Sequence, residues 1–177
     1  MSYLLGLSGS LRAASTNTKL MRAAARIYAP ADFVEGDLDL PLYNGDVEAQ
    51  GLPETVQTLS DRIAGAEAVI ISCPEYNKAL SGVMKNALDW ISRTKGSPWR
   101  DKPVAIMSAT AGRAGGERSQ SSLRLCLNPF RPMVIPGPEV LIAGSGEAFD
   151  ENGELVNEAS VRMLTELMDQ LRAMARG

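Results

Sequence analysis

The feature that most constrains this chain is an alternation of short, β-branched apolar runs with longer stretches at helical spacing. Five runs read as strands, at residues 3–8, 32–35, 68–73, 104–108 and 133–142, the second of them weak. The third and fourth are nearly all apolar, as central parallel strands covered by helices on both faces must be. Between the runs, residues 18–28 align Leu20, Ala24 and Ile27 on one face, with Asn17 or Thr16 placed as N-cap. Residues 54–66 align Val56, Leu59 and Ile63, and 82–92 align Met84, Ala87, Leu88 and Ile91; segments 117–127 and 160–174 complete five helices. Strands alternating with helices predict parallel pairing through right-handed crossovers, hence a three-layer, doubly wound α/β sheet. Pro136-Gly137-Pro138 reads as a turn or break near the last strand. A length of 177 residues, 45% of them hydrophobic, suits one domain over 1–177. Ligands in such sheets bind at the carboxyl ends of the strands where strand order reverses, so the loops after strands one, three and four are the ones to inspect.

Composition removes several functions. With no histidine in the chain, the usual general base of serine and cysteine hydrolases is missing, which closes a Ser-His-Asp reading of Gly144-Ser145-Gly146 and any His-ligated zinc centre. A net charge of −3 with scattered Lys and Arg argues against nucleic acid, and no metal is expected. The two cysteines, Cys73 and Cys126, lack metal or disulfide-framework spacing and read as small core residues. The run starting at Met1 lacks the charged n-region and cleavage site of a leader, and no apolar stretch approaches the ~20 residues that span a bilayer, so a cytoplasmic protein without a membrane partner is expected.

Three loops carry chemistry. The first, Gly9-Ser10-Leu11-Arg12-Ala13-Ala14-Ser15-Thr16-Asn17, delivers hydroxyls, an amide and a guanidinium onto a helix start, where free N–H groups and the dipole favour a phosphate. It lacks the three-glycine dinucleotide fingerprint, and no Gly-Lys-Ser/Thr follows to bind a nucleoside triphosphate. The second, Pro74-Glu75-Tyr76-Asn77, places an aromatic and an amide at the same edge, suited to a flat heteroaromatic ring, and then opens into the third helix. The third, Ser108-Ala109-Thr110-Ala111-Gly112-Arg113-Ala114-Gly115-Gly116, has three glycines that permit close backbone approach to a ligand.

Taken together, these residues resemble the NADPH-dependent FMN reductase family, the flavodoxin-like group that includes quinone, chromate and azo-dye reductases. The resemblance spans nearly the whole chain: Gly9-Ser10-Leu11-Arg12 with Ser15 and Asn17; Asp39-Leu40-Pro41-Leu42-Tyr43-Asn44; Pro74-Glu75-Tyr76-Asn77 with Gly82, Lys85, Asn86, Asp89 and Trp90; and Gly112 with Gly115-Gly116 and Arg118. It implies a flavodoxin-like fold with a five-stranded parallel sheet in the order 2-1-3-4-5. It also implies FMN as cofactor, with NADPH or NADH as co-substrate and small-molecule acceptors. Ser10, Arg12, Ser15, Thr16 and Asn17 are implied to cradle the FMN phosphate, and Pro74, Glu75, Tyr76 and Asn77 to border the isoalloxazine. Ser108, Thr110 and Gly112 are implied at its other edge. Hydride transfer through a flavin needs positioning rather than a protein nucleophile, so no catalytic side chain is expected, in keeping with a chain that has no histidine. The family implies a homodimer or homotetramer, with Lys85, Asn86, Asp89 and Arg93 close to the subunit contact. Arg113 and Arg118 are candidates for a 2′-phosphate by location.

Overall fold

The computed structural model describes residues 2–176; Met1, where the leader reading begins, and the end residues of the expected 1–177 domain lie outside the described residues. In chain order the elements are β1 (Leu4–Ser8), α1 (Thr16–Tyr28), β2 (Phe33–Gly36), α2 (Gly45–Ala49), α3 (Glu54–Gly65), β3 (Ala68–Ser72), β4 (Glu75–Tyr76), β5 (Ala79–Leu80), α4 (Gly82–Ile91), β6 (Pro103–Ala109), α5 (Glu117–Leu127), β7 (Met133–Val134), β8 (Val140–Ile142) and α6 (Glu158–Arg176), with a 3-10 turn at Asn128–Phe130. The main sheet runs β2-β1-β3-β6, and β7 and β8 share the far edge of β6, all parallel. This is the expected 2-1-3-4-5 order with its last strand divided.

The division follows from the break at Pro136-Gly137-Pro138. Neither proline can donate to the ladder. β7 therefore pairs with Pro103 and Val104 at the start of β6, and β8 resumes opposite Met107, Ser108 and Ala109. Two further elements were not expected from the pattern: the short α2 and the antiparallel β4–β5 hairpin. Each is too short for periodicity to register.

Strand alternation sends side chains into two cores. Leu5, Leu7, Val69, Ile71, Val104 and Ile106 face α3, α4 and α5, whereas Leu4, Ala68, Ile70, Ala105 and Met107 face α1 and α6. Each large aliphatic buried in these layers contributes about 2 kcal/mol of transfer free energy. Both faces of the central strands are covered, and the loops at their carboxyl ends are left to build a site. No helix among the described residues is long and apolar enough to cross a membrane.

α1 and α6 are also joined by polar contacts. Arg172 donates to the carbonyls of Ile27 and Tyr28 at 2.9 Å, and its guanidinium lies over the Tyr28 ring. Burial, and then a hydrogen bond to Glu67, hold the Tyr28 phenol up to about 12. A folded-state value above the unfolded value near 10 stabilises the fold fully below pH 10, and the contribution is lost as pH rises towards 12. The urea midpoint is expected to fall across that window, and Tyr28→Phe to flatten the fall.

Candidate functional site

The first loop ends in a helix start that differs in detail from the sequence expectation. The N-cap is Ser15, not Asn17 or Thr16; its hydroxyl accepts from the Thr18 N–H at 3.3 Å. Asn17 cannot cap because its side chain is drawn inward and buried. Its amide nitrogen donates to the Ala109 carbonyl at 2.8 Å, while its oxygen accepts from Ser72 Oγ at 2.9 Å and from the Ala109 N–H at 3.0 Å. Asn17 thus ties α1 to the carboxyl ends of β3 and β6, and its amide oxygen is filled before any ligand arrives. The backbone N–H groups of Thr16 and Asn17 have no partner among the described residues, as the first turn of a helix dictates. Beside them the Arg12 guanidinium has no acidic or hydrogen-bonding partner among the described residues. The loop can lie this close to β3 because residue 9 is glycine: a Cβ there would stand 2.8 Å from Cys73 Sγ.

The second loop is a hairpin rather than a simple proline turn. Asn77 and Lys78 have φ of 50° and 67°, so both occupy the left-handed region that a two-residue type I′ turn requires. Asn tolerates that conformation well. The hairpin docks on α5: the Leu80 N–H donates to Ser122 Oγ at 2.7 Å, and the Glu75 carboxylate accepts from the Arg118 N–H at 3.1 Å and its guanidinium at 3.5 Å. Glu75 therefore caps the first turn of α5 and stiffens the hairpin. Tyr76 is left half-exposed on the cleft side.

In the third loop most glycines serve the protein rather than a ligand. Ser108 Oγ is buried, donates to the Gly115 carbonyl at 2.7 Å and accepts from Gln120 Nε2 at 2.9 Å. Gly115 has φ +59°, and a Cβ there would stand 2.7 Å from the Leu141 carbonyl carbon; one at Gly116 would stand 2.7 Å from Ser108 Cβ. Their close approach is to β6 and β8, and Gly112 alone of the three borders the cleft. Left-handed strain and overpacking add, so Gly115→Ala is expected to lower stability by about 3 kcal/mol in urea unfolding.

The three loops and a fourth enclose a cleft of about 620 Å³ at the carboxyl edge of the sheet. It gathers Ser10, Arg12, Ser15, Thr16, Asn17, Pro74, Glu75, Tyr76, Thr110 and Gly112. Two expected residues are not among its lining: Ser108, whose hydroxyl locks the glycine loop from beneath, and Asn77, held at the tip of the hairpin turn. Sequence reasoning missed Lys19 on the first turns of α1, and Ser145 and Gly146 in the loop after β8. Thr16 Oγ1 donates to Ser145 Oγ at 3.3 Å, and the Ser145 N–H donates to the Thr110 carbonyl at 3.0 Å. The carboxyl-end rule extends to the last strand too, and it is this rule, not the hydrolase pattern of Gly144-Ser145-Gly146, that points to the loop.

The donor set fits FMN. Two free helix N–H groups, an unpaired guanidinium, Lys19 and several hydroxyls converge where a terminal phosphate would sit, and an exposed aromatic stands at the other end. The volume lies within the ~300–1,000 Å³ of small-molecule sites. Among the described residues no cluster of three His, Cys, Asp or Glu could hold a metal.

The residues implied at a subunit contact, on α4 and just beyond its end, are engaged within the chain. Lys85 pairs with Asp89 at 2.6 Å, and Arg93 with Glu48 at 2.9 Å. Asn86 accepts from the Tyr43 N–H at 2.8 Å and donates to the Pro41 carbonyl at 3.0 Å. The Trp90 indole donates to that same carbonyl at 2.7 Å. These bonds hold the 38–44 segment on α4 and leave Leu42 82% exposed.

Known proteins resemble the chain over nearly its whole length. Residues 3–147 match the family model described as NADPH-dependent FMN reductase. The chain is 37% identical over 175 residues to an NAD(P)H-dependent FMN reductase of Pseudomonas aeruginosa, covering 98% of this chain and 95% of that one. It is 38% identical over 165 residues to a quinone reductase of Escherichia coli, covering 90% and 87%. Among solved structures, the flavoenzyme NAD(P)H:(acceptor) oxidoreductase of Paracoccus denitrificans superposes with a TM-score of 0.89 at 31% identity, covering 99% of this chain and 98% of that one.

Proposed function

The chain belongs to the NADPH-dependent FMN reductase family and is an FMN-dependent NAD(P)H oxidoreductase, and on that premise we propose that the carboxyl-edge cleft is its flavin site and that a quinone is its acceptor. The observation that carries the reading is the joining, in one cleft, of a helix start with an unpaired Arg12 to a stiffened hairpin that presents Tyr76. FMN bound there supplies the hydride chemistry between NAD(P)H and the acceptor.

The chain's own residues bind and orient. Arg12, Lys19, the hydroxyls of Ser10 and Thr16 and the N–H groups of Thr16 and Asn17 hold the phosphate. Asn17 acts through its backbone, its side chain being committed to Ser72 and Ala109. Pro74, Glu75 and Tyr76 border one edge of the ring system, and Thr110 and Gly112 the other. Asn77 and Ser108 shape these two loops from outside the cleft. With no histidine in the chain, these groups act by orientation and by limiting water, not by proton transfer.

A homodimer or homotetramer is the assembly we propose, with Leu42 and its neighbours on α4 at the contact. The free Cys73 and Cys126 suit a reducing compartment, in line with a cytoplasmic setting. Mixing the FMN-loaded protein with NADPH under anaerobic conditions is expected to bleach its visible flavin absorbance, and added quinone to restore it. Bleaching by NADPH without reoxidation by quinone would reject the acceptor; persistence of the oxidised spectrum would leave a flavin carrier that does not use nicotinamide.

A further inference from the structure

A second cavity lies at the opposite end of the sheet. It is about 240 Å³ and is enclosed by the C-terminal end of α4, the connection leading to β6 and the 3-10 turn after α5. Ile91, Trp99, Pro129 and Phe130 form an apolar wall, and Arg100 and Arg131 stand at its margin. Two observations set this cavity apart from a packing gap, beside two arginine side chains that, like those of Arg12, Arg113 and Arg162, have no acidic or hydrogen-bonding partner among the described residues. Among the described residues, the indole N–H of Trp99, a lining residue, is one of two buried side-chain polar atoms without a hydrogen-bond partner. Of the six non-glycine residues at positive φ among the described residues, Ser97 and Arg131 line the cavity and Asp101 adjoins it, its N–H donating to the Arg131 carbonyl at 3.1 Å. Such backbone strain persists where the surroundings over-determine it and clusters at ligand sites.

The unpartnered side-chain groups lining the cavity are an indole N–H, two guanidiniums and the Ser97 hydroxyl, with the Asp101 carboxylate on the adjoining residue. An apolar wall with cationic donors at its margin fits a flat anion whose ring packs on Trp99 and Phe130 and whose charge meets the arginines. A volume below the ~300 Å³ of drug-sized pockets limits the ligand to a single ring. We propose that this cavity is a binding site for a small aromatic carboxylate, separate from the flavin cleft.

The test uses the FMN-loaded protein and benzoate as probe. The chain has two tryptophans, and Trp90 donates its indole N–H to the Pro41 carbonyl and is not among the residues lining the cavity, so the two indole N–H signals in a proton–nitrogen NMR spectrum, assigned with Trp99→Phe, report on the site separately. Benzoate is expected to shift the Trp99 signal saturably and leave that of Trp90 in place. Arg100→Gln and Arg131→Asn, the latter chosen because Asn tolerates the left-handed backbone, are each expected to weaken benzoate binding about 5–10-fold with the rest of the spectrum preserved. Benzyl alcohol, which has the ring without the charge, is expected to bind more weakly by a similar factor. The absence of a saturable Trp99 shift, equal binding of benzoate and benzyl alcohol, undiminished binding in both arginine variants, or shifts confined to the flavin cleft would each overturn the proposal.

Discussion

Asn17→Ala is expected to lower the unfolding free energy of the flavin-free protein by about 4 kcal/mol, an effect larger than that of most single substitutions. The mutation deletes one buried amide that serves three partners. The Ala109 N–H and carbonyl and the Ser72 hydroxyl lose their bonds to Asn17, in a place where Asn17, Ser72 and Ala109 are all buried. Each buried group left unsatisfied costs about 1–3 kcal/mol, and partial hydration of the vacated space brings the sum towards the lower end. For a domain of this length 1 kcal/mol moves the midpoint by roughly 2–4 °C, so thermal unfolding is expected to fall by about 8–16 °C. Measuring the flavin-free form separates this loss from any change in FMN binding. A midpoint within 2 °C of the parent would show that Asn17 is not the tie between α1, β3 and β6. Asn17→Asp is a sharper probe: it keeps the acceptor and the shape but sets an unpaired carboxylate against the Ala109 carbonyl, so it is expected to be at least as damaging at neutral pH and milder as the carboxylate protonates.

Asn17 also shows where the sequence could be read and where it could not. The alternation of apolar runs was sufficient for the layers because continuous apolar runs and a period-3.6 pattern persist over five to thirteen residues in β1, α1, β3 and β6, while the strand order came with the family resemblance. The split of the last strand was legible only as the break at Pro136-Gly137-Pro138, and the hairpin at 75–80 not at all, since two- and three-residue strands carry no period and are fixed by tertiary docking, such as that of Leu80 on Ser122. Site residues were legible by loop because the carboxyl-end rule selects whole loops. Which atom of a residue faces the ligand is a different matter. Asn17 and Ser108 are polar residues in the right loops whose side chains turn inward to satisfy buried groups, and Gly115 and Gly116 are glycines required by neighbouring strands. Composition alone does not distinguish a polar group that binds a ligand from one that binds the fold.

Arg12→Ala is expected to weaken FMN binding about 10–100-fold while leaving riboflavin binding within about twofold of the parent. Arg12 supplies a guanidinium without a partner among the described residues just before α1, beside the free N–H groups of Thr16 and Asn17. A hydrogen bond to a charged group contributes about 1.5–3 kcal/mol, which is that range of affinity at about 1.4 kcal/mol per factor of ten. Riboflavin keeps the ring and the ribityl chain and lacks only the phosphate, so it isolates the contribution assigned to Arg12. Arg12→Lys keeps the charge and loses the planar fork, and is expected to fall between the parent and the alanine variant. The charge component is screened by salt, so the FMN affinity of the parent should drop more steeply between low and moderate ionic strength than that of the alanine variant. Equal weakening of FMN and riboflavin would mean that Arg12 shapes the loop instead of meeting the phosphate. An unchanged FMN affinity would shift the phosphate contact to Lys19 and the helix N–H groups, which Lys19→Ala in the same assay would then reveal.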